Sequence, residues 1–149
     1  MQIEFAINNK KVTVEAGIDE LLADTLRDYG ILSIRKGCDT SCCGLCTVWL
    51  DGKPILSCSV LSFRANGKSI TTIEGVQREA EEFARMLAAE GADQCGFCSP
   101  GFIMTVLAMK NELKNPSDEE IKHYLTGNLC RCTGYMGHLR AVKKYLGVV

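Results

Sequence analysis

The sequence predicts an α+β chain of two small domains, a beta-grasp sheet over residues 1–76 followed by an all-helical, four-helix-bundle-like unit over residues 77–149. Three observations carry this. Apolar residues alternate with period 2 through the first half and recur with period 3.6 beyond Gly75. The nine cysteines fall into two groups separated by 36 residues without one. A chain of 149 residues has room for one core or two small ones.

Each element has its own signal. Ile3, Phe5 and Ile7 alternate with polar residues, Asn8-Asn9 tolerates the positive dihedrals of a tight turn, and Val12 and Val14 resume the alternation, which predicts a hairpin. Asp19 is placed to cap a helix carrying Leu21, Leu22, Thr25 and Leu26, stopped by Gly30. Cys46, Val48 and Leu50 predict a strand turning at Asp51-Gly52, with Pro54 to Leu56 returning and residues 69–73 forming a last short strand. Hairpin, helix, then more strands is the order of a beta-grasp domain. In the second half, Phe83, Met86, Leu87 and Ala88 mark a helix ending at Gly91, and Pro100 suits the first turn of another containing Phe102, Ile103, Val106, Leu107 and Met109. After Asn115-Pro116, Ser117 and Glu120 have the form of a capping box for a third helix, and Leu139, Val142, Tyr145 and Leu146 predict a fourth.

Composition excludes several classes. With 46% apolar and 23% charged residues the chain is neither disordered nor fibrous, and a formal net charge of -1 gives no electrostatic case for nucleic acid. The longest apolar stretch, residues 103–109, is interrupted by Thr105 and is far below the roughly 20 residues of a membrane span. The opening residues carry no basic or apolar export signal, so a cytoplasmic address is expected.

In a reducing compartment many cysteines point to metal rather than to disulfides. Cys38, Cys43, Cys46 and Cys58 have the C-x4-C-x2-C plus one spacing of plant-type ferredoxins, which hold a 2Fe-2S cluster. Three thiolates must converge from one wrapping loop, and Gly37 and Gly44 supply its bends. Taking Cys42 in place of Cys43 gives C-x3-C-x3-C, which fits no such rule, so Cys42 is the extra cysteine and is expected to be a small buried thiol. Cys95, Cys98, Cys130 and Cys132 form C-x2-C, a gap of 31 residues, and C-x-C, a second tetrathiolate set. The C-G-x-C form recurs in both sets. Structural zinc is the competing reading of each. His123 and His138 read as surface or helix-packing residues, Trp49 as an ordinary strand aromatic, and Glu79 to Glu82 as a solvated helix face.

Three stretches resemble the iron-sulfur subunit of the molybdenum hydroxylases, the family of xanthine dehydrogenase, aldehyde oxidoreductase and carbon monoxide dehydrogenase. They are Gly37-Cys38-Asp39-Thr40-Ser41-Cys42-Cys43-Gly44-Leu45-Cys46-Thr47-Val48, Gln94-Cys95-Gly96-Phe97-Cys98-Ser99-Pro100-Gly101 and Gly127-Asn128-Leu129-Cys130-Arg131-Cys132-Thr133-Gly134-Tyr135. The resemblance implies two 2Fe-2S clusters, a plant-type one in the first domain and a second in the helical domain. It implies that Gln94 and Cys132 sit against a molybdopterin cofactor held mainly by a large partner subunit. It also implies a separate FAD-binding subunit, a hetero-oligomer, and a role as a non-catalytic relay of single electrons from molybdenum to flavin. Cys42, Leu45, Ser99 and the run Tyr135-Met136-Gly137-His138 depart from the family's usual residues. A free-standing two-cluster ferredoxin is the alternative function.

Overall fold

The alternation of Ile3, Phe5 and Ile7 is realised in β1 (Gln2–Ile7), which turns through Asn8 and Asn9, at φ of 48° and 69°, into the antiparallel β2 (Lys10–Glu15). The computed structural model describes residues 1–148. β3 (Thr47–Leu50) and β4 (Lys53–Leu56) form a second hairpin across Asp51-Gly52. β5 (Ser69–Thr71) joins the two hairpins, parallel to β1 and antiparallel to β3, giving the sheet order β2-β1-β5-β3-β4. α1 (Leu22–Asp28) lays Leu22, Ala23 and Leu26 across one face, where they meet Ile3, Phe5, Ile7, Val48 and Ile70. This is the beta-grasp arrangement, with β3 beginning at Thr47 rather than at Cys46.

The predicted cap of α1 is not used. Its N-cap position is Leu21, and the free amide of Leu22 donates instead to the carbonyl of Val60 at 2.7 Å, beside a bridge between Leu21 and Leu61. A long-range backbone partner thus satisfies a donor that a side chain would otherwise have to take. Glu20, not Asp19, is the structured acid: it accepts from the Gly17 amide at 2.9 Å and from the Thr25 hydroxyl. Three short 3-10 turns, Ser57–Ser59, Ser62–Ala65 and Ile73–Gly75, carry no periodic signal and go beyond the elements expected; the last replaces the end of the expected fifth strand.

Four helices follow: α2 (Gln77–Ala89), α3 (Ser99–Glu112), α4 (Asp118–Tyr124) and α5 (Met136–Leu146). Pro100 lies in the first turn of α3, and Ser117 and Glu120 close a full capping box on α4. α3 is buried on all sides from Gly101 to Met109, which explains the apolar run: it is the central helix, flanked by α2 and by the sheet. Phe83, Phe102, Val106, Met109, Ile121, Val142 and Tyr145 form the second core. Complete burial of a side chain such as Phe83 contributes about 1.5–3 kcal/mol. The inner stripe of α5 lies one position from the expected one: His138, Ala141, Val142 and Tyr145 are buried, while Leu139 and Leu146 only border the core. No helix among the described residues is long and apolar enough to cross a membrane.

The two cores touch across α3. Trp49 sends its indole N–H to the Met104 carbonyl at 3.0 Å, so the supposed ordinary strand aromatic ties β3 to α3. Gly101 permits a close approach, since a β-carbon there would lie 2.3 Å from the Gly44 carbonyl oxygen.

Candidate metal centres

The loop carrying Cys38, Cys43 and Cys46 has no regular structure and bends at Ser41 and Gly44, with φ of 56° and 74°. Its amides turn inward. The Cys38 thiol is drawn down to about 6 by the Cys43 side chain and by the backbone N–H groups of Cys42, Cys43 and Thr40. Burial pushes Cys43 up, against the N–H groups of Leu45 and Gly37. Cys46 and Cys58 are the other neighbouring pair. Burial raises Cys46 to about 11, with the Cys58 amide opposing and its thiol adding to the rise. Cys58 arrives in the 3-10 turn after β4, where Ser57 anchors the chain by donating to the Cys46 carbonyl at 2.7 Å.

In the second set, Cys95 and Cys132 lie with their sulfurs 3.5 Å apart and both are exposed, as is Gln94. The Phe97 amide, and after it the Cys132 thiol, lowers Cys95. Cys98 caps α3, where the helix N-terminus favours negative charge. Its burial nevertheless pushes the free thiol up to about 12, with Cys130 beside it contributing. Burial also acts to raise Cys130, but the Thr133 hydroxyl and the amides of Cys132 and Thr133 outweigh it and the net shift is downward.

Six of the eight thiols, Cys38, Cys43, Cys95, Cys98, Cys130 and Cys132, line a single cleft of about 340 Å³. The Leu129 amide donates to the Cys43 carbonyl at 2.9 Å and so joins the two sets through the backbone. Arg35 bridges them from the side, donating to the Gly96 carbonyl at 2.6 Å with its guanidinium 5.1 Å from the centre of the Phe97 ring. Arg131 also lines the cleft, whereas Lys36 is taken up by Asp24 at 2.8 Å. All nine cysteines are free thiols. Cys42 is exposed, not buried as expected, with Thr40 as its neighbour at 3.0 Å; the loop turns Cys43 inward and leaves the adjacent side chain to solvent.

The donor chemistry fits sulfur-ligated iron. Each set is made of soft thiols only, and backbone amides converge on the sulfurs, a pattern that stabilises an anionic centre. Sequence reasoning missed one neighbour. His138 is buried, and a ring nitrogen lies within 4.8 Å of the Cys98 and Cys130 sulfurs. The spacing of His138 with Ala141, Val142 and Tyr145 was the available signal, since it places the imidazole on the inner stripe of α5. His123 is exposed, as expected, and so are Glu79, Glu81 and Glu82.

Comparison with known proteins agrees with this architecture. The model of a 2Fe-2S iron-sulfur cluster binding domain matches residues 5–79, and that of a second 2Fe-2S binding domain matches residues 72–143. The chain is 38% identical to a probable xanthine dehydrogenase subunit of Bacillus subtilis, over 94% of this chain and 82% of that one. It is 43% identical to the xanthine dehydrogenase iron-sulfur-binding subunit of Escherichia coli O157:H7, over 89% of this chain and 86% of that one. Among solved structures, quinoline 2-oxidoreductase from Pseudomonas putida 86 superposes with a TM-score of 0.89 at 35% identity, covering 98% of this chain and 93% of the matched chain. A beta-grasp domain and a helical domain, each with its thiol set, define a two-domain iron-sulfur protein. The chain belongs to the iron-sulfur subunit family of the molybdenum hydroxylases, and it is an electron-transfer subunit of an oxidoreductase of that kind.

Proposed function

We propose that this chain carries two 2Fe-2S clusters and relays single electrons between a molybdopterin-binding subunit and an FAD-binding subunit, without itself touching substrate. Cys38, Cys43, Cys46 and Cys58 hold the first cluster in a domain of residues 1–76, and Cys95, Cys98, Cys130 and Cys132 hold the second in a domain of residues 77–149. Bound there, the clusters would supply one-electron chemistry, which would divide the pair released by a substrate oxidation into single steps. The chain's own residues hold the sulfurs, aim backbone amides at them, and exclude water from Cys43, Cys46 and Cys98 more than from Cys95 and Cys132. The observation that carries this reading is the shared cleft: thiols from both sets face one space, and the Leu129 amide bonded to Cys43 spans the two. The exposure of Gln94 and Cys132, beside the exposed Cys95, supports the contact of Gln94 and Cys132 with a pterin on the large partner. A cytoplasmic location is part of the same proposal, because eight free thiols need a reducing compartment while the clusters assemble.

Purification of the native assembly tests it. The expected result is a red-brown hetero-oligomer with this chain, a large molybdopterin subunit and a flavin subunit, about four iron atoms per copy of this chain, and two distinct paramagnetic signals on reduction. A lone monomer of 16.3 kDa bearing both clusters would establish the free-standing ferredoxin instead. A colourless protein with bound zinc would overturn both.

A further inference from the structure

On the inner side of the second thiol set, three groups converge on one hydroxyl. Thr133 Oγ1 donates to Cys130 Sγ at 3.2 Å, lies 3.2 Å from His138 Nδ1, and accepts from the Tyr135 amide at 3.3 Å. His138 is only 4% exposed and stacks against Phe102 with ring centres 4.4 Å apart. The electron relay described above gives this imidazole no task, yet a buried polar ring is costly unless it is partnered.

Hydrogen bookkeeping assigns the roles. A threonine hydroxyl has one proton and two lone pairs. A cluster-bound Cys130 is a thiolate that can only accept, and a hydrogen bond to an ionised acceptor is about twice as strong as a neutral one. The Thr133 proton therefore goes to Cys130, and its lone pairs take the Tyr135 amide and a proton on His138 Nδ1. Burial lowers the His138 pKa and holds the ring neutral, with one N–H to give. The Ala92 carbonyl is also within reach of the ring, and the neutral tautomer that serves Thr133 is the one with its proton on Nδ1.

We propose that Thr133, held in place by His138, is a positioning residue that fixes a hydrogen bond on the Cys130 sulfur and thereby sets the reduction potential of the second cluster. The inference rests on the two-cluster reading. A donor to a ligand sulfur stabilises the reduced, more negative state more than the oxidised one, so this bond raises the potential. The pair acts on the Cys98 and Cys130 side of the thiol set, opposite the exposed Cys95 and Cys132. It adjusts the second cluster without touching the surface that meets the partner.

The test is a redox titration of the intact complex followed by paramagnetic resonance, reading both cluster signals. Thr133→Val is expected to raise the oxidised-to-reduced ratio of the second cluster about tenfold at a fixed potential, a downward shift of about 59 mV for a one-electron couple. The first-cluster potential should stay in place, and Thr133→Ser should restore the second. His138→Phe keeps ring volume and stacking; it should retain the cluster and shift the second potential in the same direction. In heavy water, wild-type protein should show an exchangeable deuteron coupled to the reduced second cluster. With His138→Phe, this measurement keeps the proposal open to refutation should Thr133→Val fail to load iron. Unmoved potentials in both variants, or no coupled deuteron, overturn the proposal. Loss of the second signal in His138→Phe overturns it too, by making His138 a ligand. A wild-type complex with only one cluster signal would refute the two-cluster reading itself, an outcome distinct from all of these.

Discussion

The amide of Leu129 donates to the carbonyl of Cys43 at 2.9 Å, and Leu129 immediately precedes Cys130. A ligand candidate of one domain is thus joined to a ligand candidate of the other by one hydrogen bond and a short run of backbone. The contact is possible because the next residue is Gly44. It stands at φ of 74°, and a β-carbon on it would lie 2.3 Å from the Gly127 carbonyl oxygen. Gly101 presses on the other side of the same segment, so the wrapping loop is held between α3 and the loop that leads to Cys130.

Gly44→Ala is therefore expected to separate the two thiol sets. The left-handed backbone alone costs an L-residue about 1–3 kcal/mol, and the contact with Gly127 adds to it. Thermal unfolding should show a clear loss of stability. In reduced protein the magnetic interaction between the two clusters should weaken. A variant with unchanged melting and unchanged coupling would mean that the approach of the loops is incidental.

Cys42 and Cys43 make a neighbouring pair with opposite fates. Cys42→Ala removes an exposed thiol and should leave both cluster signals intact, with a stability change within about 0.5 kcal/mol, as for most surface substitutions. Cys43→Ala removes a buried thiol that touches Cys38 and should abolish the plant-type signal while sparing the second. Iron content and paramagnetic resonance read both, and loss of a signal in Cys42→Ala would mean that the ligand choice is wrong.

Much of this was legible in the sequence because it rests on local rules. The hairpin turns at Asn8-Asn9 and Asp51-Gly52, the capping box of Ser117 and Glu120, and the stop of α1 at Gly30 each depend on a few adjacent residues. The cap of α1 is not legible because its donor is satisfied by Val60, almost 40 residues away, and no local pattern reports that. Trp49 reads as ordinary for the same reason, since its partner is a carbonyl on α3. Spacing groups the thiols into two candidate sets, but the common cleft does not follow from it, because the cleft depends on how the two domains pack. His138 escapes notice because a single histidine carries no motif; only its place on the inner stripe of α5 gives it a neighbourhood.

Trp49→Phe tests the tie between sheet and central helix. The bicyclic indole shrinks to a phenyl ring, so the hydrogen bond to the Met104 carbonyl, worth about 0.5–1.5 kcal/mol, is lost together with part of the packing against the second core. For a chain of this size that corresponds to a fall in Tm of about 2–4 °C per kcal/mol. Differential scanning calorimetry would detect it, and an unchanged Tm would mean that the Trp49–Met104 contact does not tie the sheet to the helix.

Glu90 provides a pH-dependent contact between α2 and α5. It follows the last turn of α2 and pairs with Lys144 and, at 2.8 Å, with Arg140, both on α5. Lys144 first and Arg140 second hold its carboxyl below the ordinary value of 4.5. The two cations also offset the unfavourable position of an acid at a helix C-terminus. Because the folded-state value lies below the unfolded one, the contribution is fully present above about pH 4.5 and is lost as pH falls through the lowered folded value. Glu90→Gln should accordingly melt lower than wild type at pH 7, and the gap should close on acidification below about 4.5. It should also narrow at high salt, since the lysine and arginine partners are more than half exposed. Melting curves of both proteins between pH 3 and 7 measure the gap directly; one that stays constant across that range would mean that the carboxylate charge contributes nothing and that the side chain acts by packing alone.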